Sequence, residues 1–426
     1  MIFTKILAYQ RFWDSCLRRN DGICVFSRVI LRRLSTILFL ALLLYGCKTT
    51  KLASSSNDVP PIRDSVISAS IDTITYFITM KGDTLESLDM EVEIEIERLL
   101  PDTVSIAAVG DIMMGTDYPN KSYLPPGNGE LLWEASKSYL QEADISFGNL
   151  EGTVLDGEGD PKDCKNPKAC YLFRMPPRLT SNLVDCGFDL MSVANNHAND
   201  FGAVGRKSTQ RILDSLKISS AGSLESPYGV FKIDALKIGF VAFAPNKGTL
   251  TFYDKERAVS IIKELDSLSD MVIVSIHGGA EGAKNQHVTR EREFYYGEDR
   301  GNIYEFSHKL VDHGADVILG HGPHVPRGLE VYKKRMIAYS LGNFCTYGRF
   351  NLKGANAIAP LLMSEVNSEG EFLSGEIISF RQTYSQGPIF DANGGATRSI
   401  KKLSEEDFPE NEIIIDEKGR IIYIQN

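Results

Sequence analysis

Five short apolar runs, each of strand length, end in polar clusters, and their recurrence constrains this chain more than any other feature. Residues 104–109 lead into Gly110-Asp111, and residues 145–147 into Gly148-Asn149-Leu150-Glu151. Residues 188–193 lead into Asn195-Asn196-His197, and residues 271–276 into His277-Gly278-Gly279-Ala280-Glu281. Residues 315–319 lead into Gly320-His321, with His324 close behind on a loop stiffened by Gly322 and Pro323. Runs of this kind, largely apolar rather than alternating, read as buried strands. Further strands are expected over residues 238–244 and 336–340. Between the runs, residues 130–142, 179–186, 208–216 and 303–313 carry helical patterns. Strands alternating with helices make an α/β fold.

In such sheets the carboxyl ends of the strands converge on one crevice, where ligands bind. Asp111, Glu151, Asn196, His197, His277, Glu281, His321 and His324 are therefore expected in one pocket. Carboxylate, amide and imidazole donors together suit a divalent cation such as Zn, Mn or Fe. Each cluster alone has an ordinary use: an Asx turn at Asp111, a helix-terminal acid at Glu151, polar turn caps at 195–197. The recurrence carries the argument. His308 and His313 fall in a helical pattern and read as surface or packing residues, and His287 receives no role.

Composition bounds the rest. The 426 residues, 43% hydrophobic and 24% charged, suit one large globular domain or two average ones. A formal net charge of −10, with no Lys/Arg run near the clusters, argues against nucleic acid as a partner. Residues 1–47 read as a signal segment: Arg28, Arg32 and Arg33 precede a short apolar stretch ending Leu44-Tyr45-Gly46-Cys47. That ending predicts a lipoprotein with its lipid on Cys47, exported and anchored to the membrane of a bacterial envelope. Residues 48–64 read as a flexible tether. Residues 65–100 read as a small β appendage, a hairpin turning at Lys81-Gly82-Asp83. The main domain spans 101–426. Export permits disulfides, and Cys164 and Cys170 flank a turn that a local bridge could close.

The strings GDIMMG, GNLEGTV, VANNHANDFG, HGGAEG, GHGPHVPRG and YSLGNF run in order from residue 110 to residue 344. Together they resemble the CapA family, proteins of capsule or poly-γ-glutamate biosynthesis within the wider calcineurin-like metallophosphatase group. The resemblance implies a sandwich of two β-sheets flanked by helices, holding one or two divalent ions (Mn, Zn or Fe). It implies Asp111 as a first-strand metal ligand, Glu151 as a bridging acid and Asn196 as an amide ligand. His277 and one or both of His321 and His324 would complete the metal set, and His197, with Glu281, would be catalytic. Three positions depart from the wider group. Met113 stands where a histidine is usual, two residues rather than one separate His321 from His324, and Gly278 and Gly282 replace aromatic residues. The implied function is that of an envelope-anchored, metal-dependent hydrolase acting on an anionic capsule polymer or its precursor, beside other capsule-synthesis proteins. A non-catalytic protein that binds or tethers the polymer through the same pocket is the alternative.

Overall fold

The computed structural model describes residues 101–157, 159–163, 170–384 and 386–424, and before them three backbone segments, Ser65–Ile71, Ile74–Lys81 and Asp89–Glu91. The signal segment, Cys47, the tether and Cys164 lie outside the described residues. The chain divides into two units, Met1–Glu97 and Arg98–Asn426. In the first, the three segments form one antiparallel sheet with Ile74–Lys81 in the middle. Ser65 pairs with Met80, so a hairpin precedes the one expected around Lys81. Among the described residues no helix is long and apolar enough to cross a membrane.

The second unit contains two large sheets. Six of their strands carry the polar clusters: β1 (Thr103–Met113), β2 (Ile145–Leu150), β3 (Leu190–Ser192), β4 (Met271–His277), β5 (Val317–His321) and β6 (Asn343–Thr346). In the first sheet β1 lies parallel to β2, β2 to β3, and β6 to the end of β1. Its other edge is antiparallel, built from Ile358–Asn367, Phe372–Thr383, Arg420–Tyr423 and Ile413–Ile415. In the second sheet Leu236–Phe243, β4, β5 and Arg335–Ala338 are parallel neighbours.

Alternation along each strand sorts the side chains into layers. Ile106, Ala108, Ile145 and Phe147 meet Ile238, Phe240, Ile273, Val317 and Leu319 in one apolar cluster between the sheets. The Phe147 and Phe240 rings cross this gap edge to face, 5.9 Å apart. The intervening residues point the other way. Ala107 and Val109 pack with Leu140, Leu183 and Leu213 from the helices on the first sheet. Val241, Val274 and Ile318 pack with Ile261, Leu265, Phe306 and Leu310 from the helices on the second. The result is the expected sandwich, two sheets between helical layers.

Helix boundaries differ from expectation where glycine intervenes. The segment expected helical over 130–142 is a kinked 3-10 turn, Pro126–Leu132, followed by a short helix, Lys137–Glu142. Gly127, Asn128 and Gly129 all have positive φ there. The helix expected from residue 208 begins at Gly202, because Gly205 lets it approach the 153–154 strand: a Cβ at Gly205 would lie 2.9 Å from Thr153 Cγ2.

One carboxyl in this frame sets a pH dependence. Asp316, at the amino end of β5, accepts the Val272 N–H at 2.7 Å and lies 3.1 Å from Arg335 Nε. Burial pushes its pKa up to about 6, outweighing both partners. A carboxyl whose folded pKa lies above its unfolded value contributes stability in full below the unfolded pKa. That contribution is lost as pH rises through the folded one. Asp316→Asn is therefore expected to gain about 2–3 kcal/mol on the wild type between about pH 4 and pH 7. Urea midpoints across that range would check it, and parallel pH curves for the two proteins would refute it.

Candidate metal centre

Strand register brings the polar residues together. Across the first sheet Asn343 pairs with Asp111, Asp111 with Asn149, and Asn149 with Ser192. Across the second, His277 pairs with His321. Two glycines allow the close approach this requires. A Cβ at Gly110 would stand 2.0 Å from Gly342 O, and one at Gly320 would stand 2.2 Å from Tyr339 O.

Asp111, Glu151 and His277 each offer a ligand atom, and these atoms lie within 4.8 Å of one another. Asp111, Glu151, His277 and His321 are all at most 1% exposed. His324, at φ +56°, places Nδ1 2.7 Å from Asp111 Oδ2 and Nε2 3.9 Å from Glu151 Oε1. His321 Nδ1 stands 3.4 Å from Asp111 Oδ1. Both ring nitrogens of His277 and of His321, with Glu151 Oε1, Asn196 Oδ1 and Asn343 Oδ1, are buried without a hydrogen-bond partner. Buried polar atoms without partners are costly and therefore rare. Carboxylate, imidazole and amide atoms left open in this way fit a divalent ion.

The electrostatics follow from burial and crowding. Burial alone would raise Asp111, but the His324 imidazole bonded to it and the His321 imidazole beside it hold it below the usual carboxylate range. Glu151 is pushed well up, first by burial and then by the Asp111 charge. Burial keeps His277 well below the usual imidazole value, so it is neutral and free to ligate. Burial opposes charge on His324 too, yet its bond to Asp111 wins and raises its pKa to about 10, so a metal ion held there would have to displace that proton.

His197, 8% exposed, stands beside this cluster. Its Nδ1 lies 2.8 Å from Asp200 Oδ2, and Lys162 Nζ lies 2.5 Å from Asp200 Oδ1. Its ring packs on Phe173 with centroids 4.2 Å apart. A carboxylate on Nδ1 favours the proton there and leaves Nε2 as the reactive nitrogen. The turn holding His197 is tied to the cluster through two asparagines. Asn195 accepts the His197 N–H at 3.1 Å and donates to Asn149 Oδ1 at 3.2 Å. Asn149 in turn donates to Asp111 at 2.8 Å and Glu151 at 2.7 Å.

Glu281 stands outside the Asp111–Glu151–His277 group, paired with Arg300 Nη2 at 3.1 Å. Its charge is nevertheless felt at Glu151 and His324. Met113, buried at the end of β1, offers no imidazole. Asp111 meets histidine from the loop after β5 instead. His308 bonds to Glu330 and His287 to Asp407, apart from the cluster. Cys170 is disulfide-bonded, whereas Cys186 and Cys345 are buried free thiols.

Reading strand ends alone assigns no role to Asn149, Asn195, Asp200 and Asn343. Asn149 and Asn343 lie inside the quoted GNLEGTV and YSLGNF strings, and Asp200 lies three residues after His197.

A family model described as bacterial capsule synthesis protein PGA_cap matches residues 105–347. Capsule biosynthesis protein CapA of Bacillus anthracis is 27% identical over 260 residues, covering 57% of this chain and 59% of that protein. PGA biosynthesis protein CapA of Bacillus subtilis (strain 168) is 30% identical over 259 residues, covering 57% and 63%. The chain thus spans about six tenths of the length of these relatives. Among solved structures, the 5'-nucleotidase precursor from Thermus thermophilus is similar at a TM-score of 0.36 and 12% identity, covering 67% of this chain and 55% of that one. The family match takes in more than half of the sequence and every residue of the cluster, and the chain belongs to the bacterial capsule synthesis protein (PGA_cap) family.

Proposed function

We propose that the protein is a metal-dependent hydrolase of the bacterial cell envelope, acting in the synthesis, export or trimming of an anionic capsule polymer such as poly-γ-glutamate. One observation carries this reading. Asp111, Glu151 and His277 converge, with open buried donor atoms on Glu151 and His277, beside a histidine oriented by a carboxylate. Asp111, Glu151 and His277, with Asn196, His321 and His324, would hold one or two divalent ions, Mn, Zn or Fe. When bound, such an ion polarises the scissile group and lowers the pKa of a water toward neutrality.

The chain's own residues do the rest. Asp200 holds Nδ1 of His197, so in the imidazolium form the proton on Nε2 is the one passed to the leaving group, leaving the neutral Nδ1–H imidazole. Phe173 covers one side of that imidazole and limits water there. Asn149 bridges Asp111 and Glu151 and keeps the two carboxylates in register. Glu281 acts from the rim through its charge, its position set by Arg300.

A second reading is a protein that binds or tethers the polymer without cleaving it, alongside other capsule-synthesis proteins. Met113 favours it, because an imidazole is missing from the end of β1. Metal analysis of purified protein, followed by a screen of γ-glutamyl peptides and phosphoesters, separates the two. Turnover that rises with metal content supports the hydrolase. Binding of polymer without turnover supports the second reading, and a protein that takes up no metal defeats the hydrolase.

The envelope placement rests on Cys47 and the apolar stretch before it. Cys47→Ser is expected to leave the protein unprocessed or released. A variant cleaved as before that still fractionates with membranes would remove the lipid anchor from this proposal.

A further inference from the structure

The metal centre is shut. Asp111, Glu151, His277 and His321 are at most 1% exposed, and His197 is nearly as deep. Aromatic rings cover the two histidines nearest the surface. Phe173 packs on the His197 ring at 4.2 Å, and Phe350, in the loop after β6, stacks on Phe173 at 5.0 Å. Phe350 also meets the His324 ring edge-on at 5.8 Å. One stacked pair thus reaches from the histidine in the turn after β3 to the histidine in the loop after β5. A second contact lies next to it in the chain. The Arg349 guanidinium carbon sits 4.8 Å from the Tyr171 ring centroid and 5.3 Å from that of Tyr123. Phe173 is fully buried and Phe350 only half-buried, so Phe350 is the outer ring of the pair.

The two rings are anchored unequally. Phe173 belongs to the frame. Its N–H donates at 2.8 Å to Asp200 Oδ2, the oxygen that also holds His197. Its carbonyl accepts the Thr153 N–H at 3.3 Å and the Thr153 hydroxyl at 3.0 Å. Phe350 has no such ties. The Tyr347 N–H donates to Met113 O at 2.8 Å and the Leu352 N–H to Tyr384 Oη at 3.3 Å, which pins the two ends of the loop. Between them, among the described residues, 348–351 make one hydrogen bond, the local one from Arg349 N–H to Tyr347 O. Gly348, at φ +90°, supplies a joint at the root of this loop. Ring contacts of this kind contribute little each, whereas the strand ends beneath are locked by sheet ladders. Of the groups bordering the site, the Phe350 loop therefore yields at the smallest cost.

We propose that Phe350 is the gate of the metal centre. Its loop turns away from Phe173 and His324 to admit an ion or a substrate group, and restacks to close the site over His197. This rests on the pocket proposed above and adds how that pocket is entered. Phe173 stays in place as the fixed leaf, so His197 keeps its orientation while the site is open.

The test reads access rather than turnover. Diethyl pyrocarbonate modifies reachable neutral imidazoles, and peptide mass spectrometry follows each histidine separately. In metal-free protein, Phe350→Ala is expected to speed modification of His197 about ten-fold. His287, whose side chain is 56% exposed and bonds to Asp407 instead, should keep its rate. With Mn present, release to excess EDTA and uptake of added Mn should both quicken by a similar factor, so that occupancy at equilibrium is unchanged. Phe350→Tyr keeps the ring and should hold these rates near those of the wild type. Arg349→Gln loosens the neighbouring contact and should act as Phe350→Ala does, by less; it decides if Phe350→Ala does not fold. The proposal is overturned if His197 is modified at the wild-type rate, if His287 speeds up as much, or if Mn uptake stays as slow as in the wild type. A protein that takes up no metal removes the hydrolase and leaves the His197 rate to decide the gate. Metal-dependent turnover, with His197 equally reachable in Phe350→Ala and the wild type, removes the gate and keeps the hydrolase.

Discussion

His277→Ala loses the metal. His277 is buried and neutral, and neither of its ring nitrogens has a hydrogen-bond partner among the described residues, which leaves both open to an ion. Loss of a group that merely supports a metal ligand costs about 10–100-fold in affinity, and loss of a ligand should cost at least that. Elemental analysis of the purified variant would show it directly. Thermal melts give a second readout, because an ion at about 100 times its Kd stabilises a protein by about 2.7 kcal/mol. Added Mn or Zn should raise the melting temperature of the wild type and leave that of His277→Ala where it was. Equal metal content in the two proteins would place the ion elsewhere and dissolve the site.

His197→Ala keeps the metal and loses turnover. None of the Asp111, Glu151 and His277 ligand atoms depends on the His197 side chain, whose imidazole is held by Asp200. Removal of a general acid typically lowers the rate by about 10²–10⁴-fold. Asp200→Asn should fall in the same direction by less, because the imidazole stays while the group fixing its tautomer changes. It should also shift the pH–rate profile, which a purely structural defect would leave in place. Metal loss in His197→Ala would show that His197 is a ligand rather than an acid, and unchanged turnover would exclude it from the reaction.

Both predictions depend on residues whose type and strand-end position are legible in the sequence but whose meeting is not. A largely apolar run such as 271–276 points to a buried strand locally, because it is short and rich in β-branched residues. The polar residue that ends such a run must lie at the strand's carboxyl end, and Asp111, Glu151, His277 and His321 all do. The sandwich of two sheets follows from the alternation of runs and helical patterns together with the family strings.

Other features depend on contacts distant in sequence. His324 and Asp111 are 213 residues apart, and their 2.7 Å contact requires the loop after β5 to fold back over the end of β1. Local pattern carries no information on that closure, since it depends on glycines 110 and 320 admitting neighbouring backbone at 2.0 and 2.2 Å. Asp200 reads as a loop acid in sequence, and only the turn at 197–200 sets its carboxylate against the imidazole. Arg300 reads as one of several basic residues in a polar loop. Glu281 follows an apolar run like the others, yet the intervening Gly278-Gly279-Ala280 and the pull of Arg300 hold it at the rim. The sequence by itself determined which strands are buried and which donor types their ends carry, because burial and periodicity are local properties. Only the tertiary structure decided which donors share one pocket and which are left open there, because register, loop closure and desolvation arise when distant segments pack.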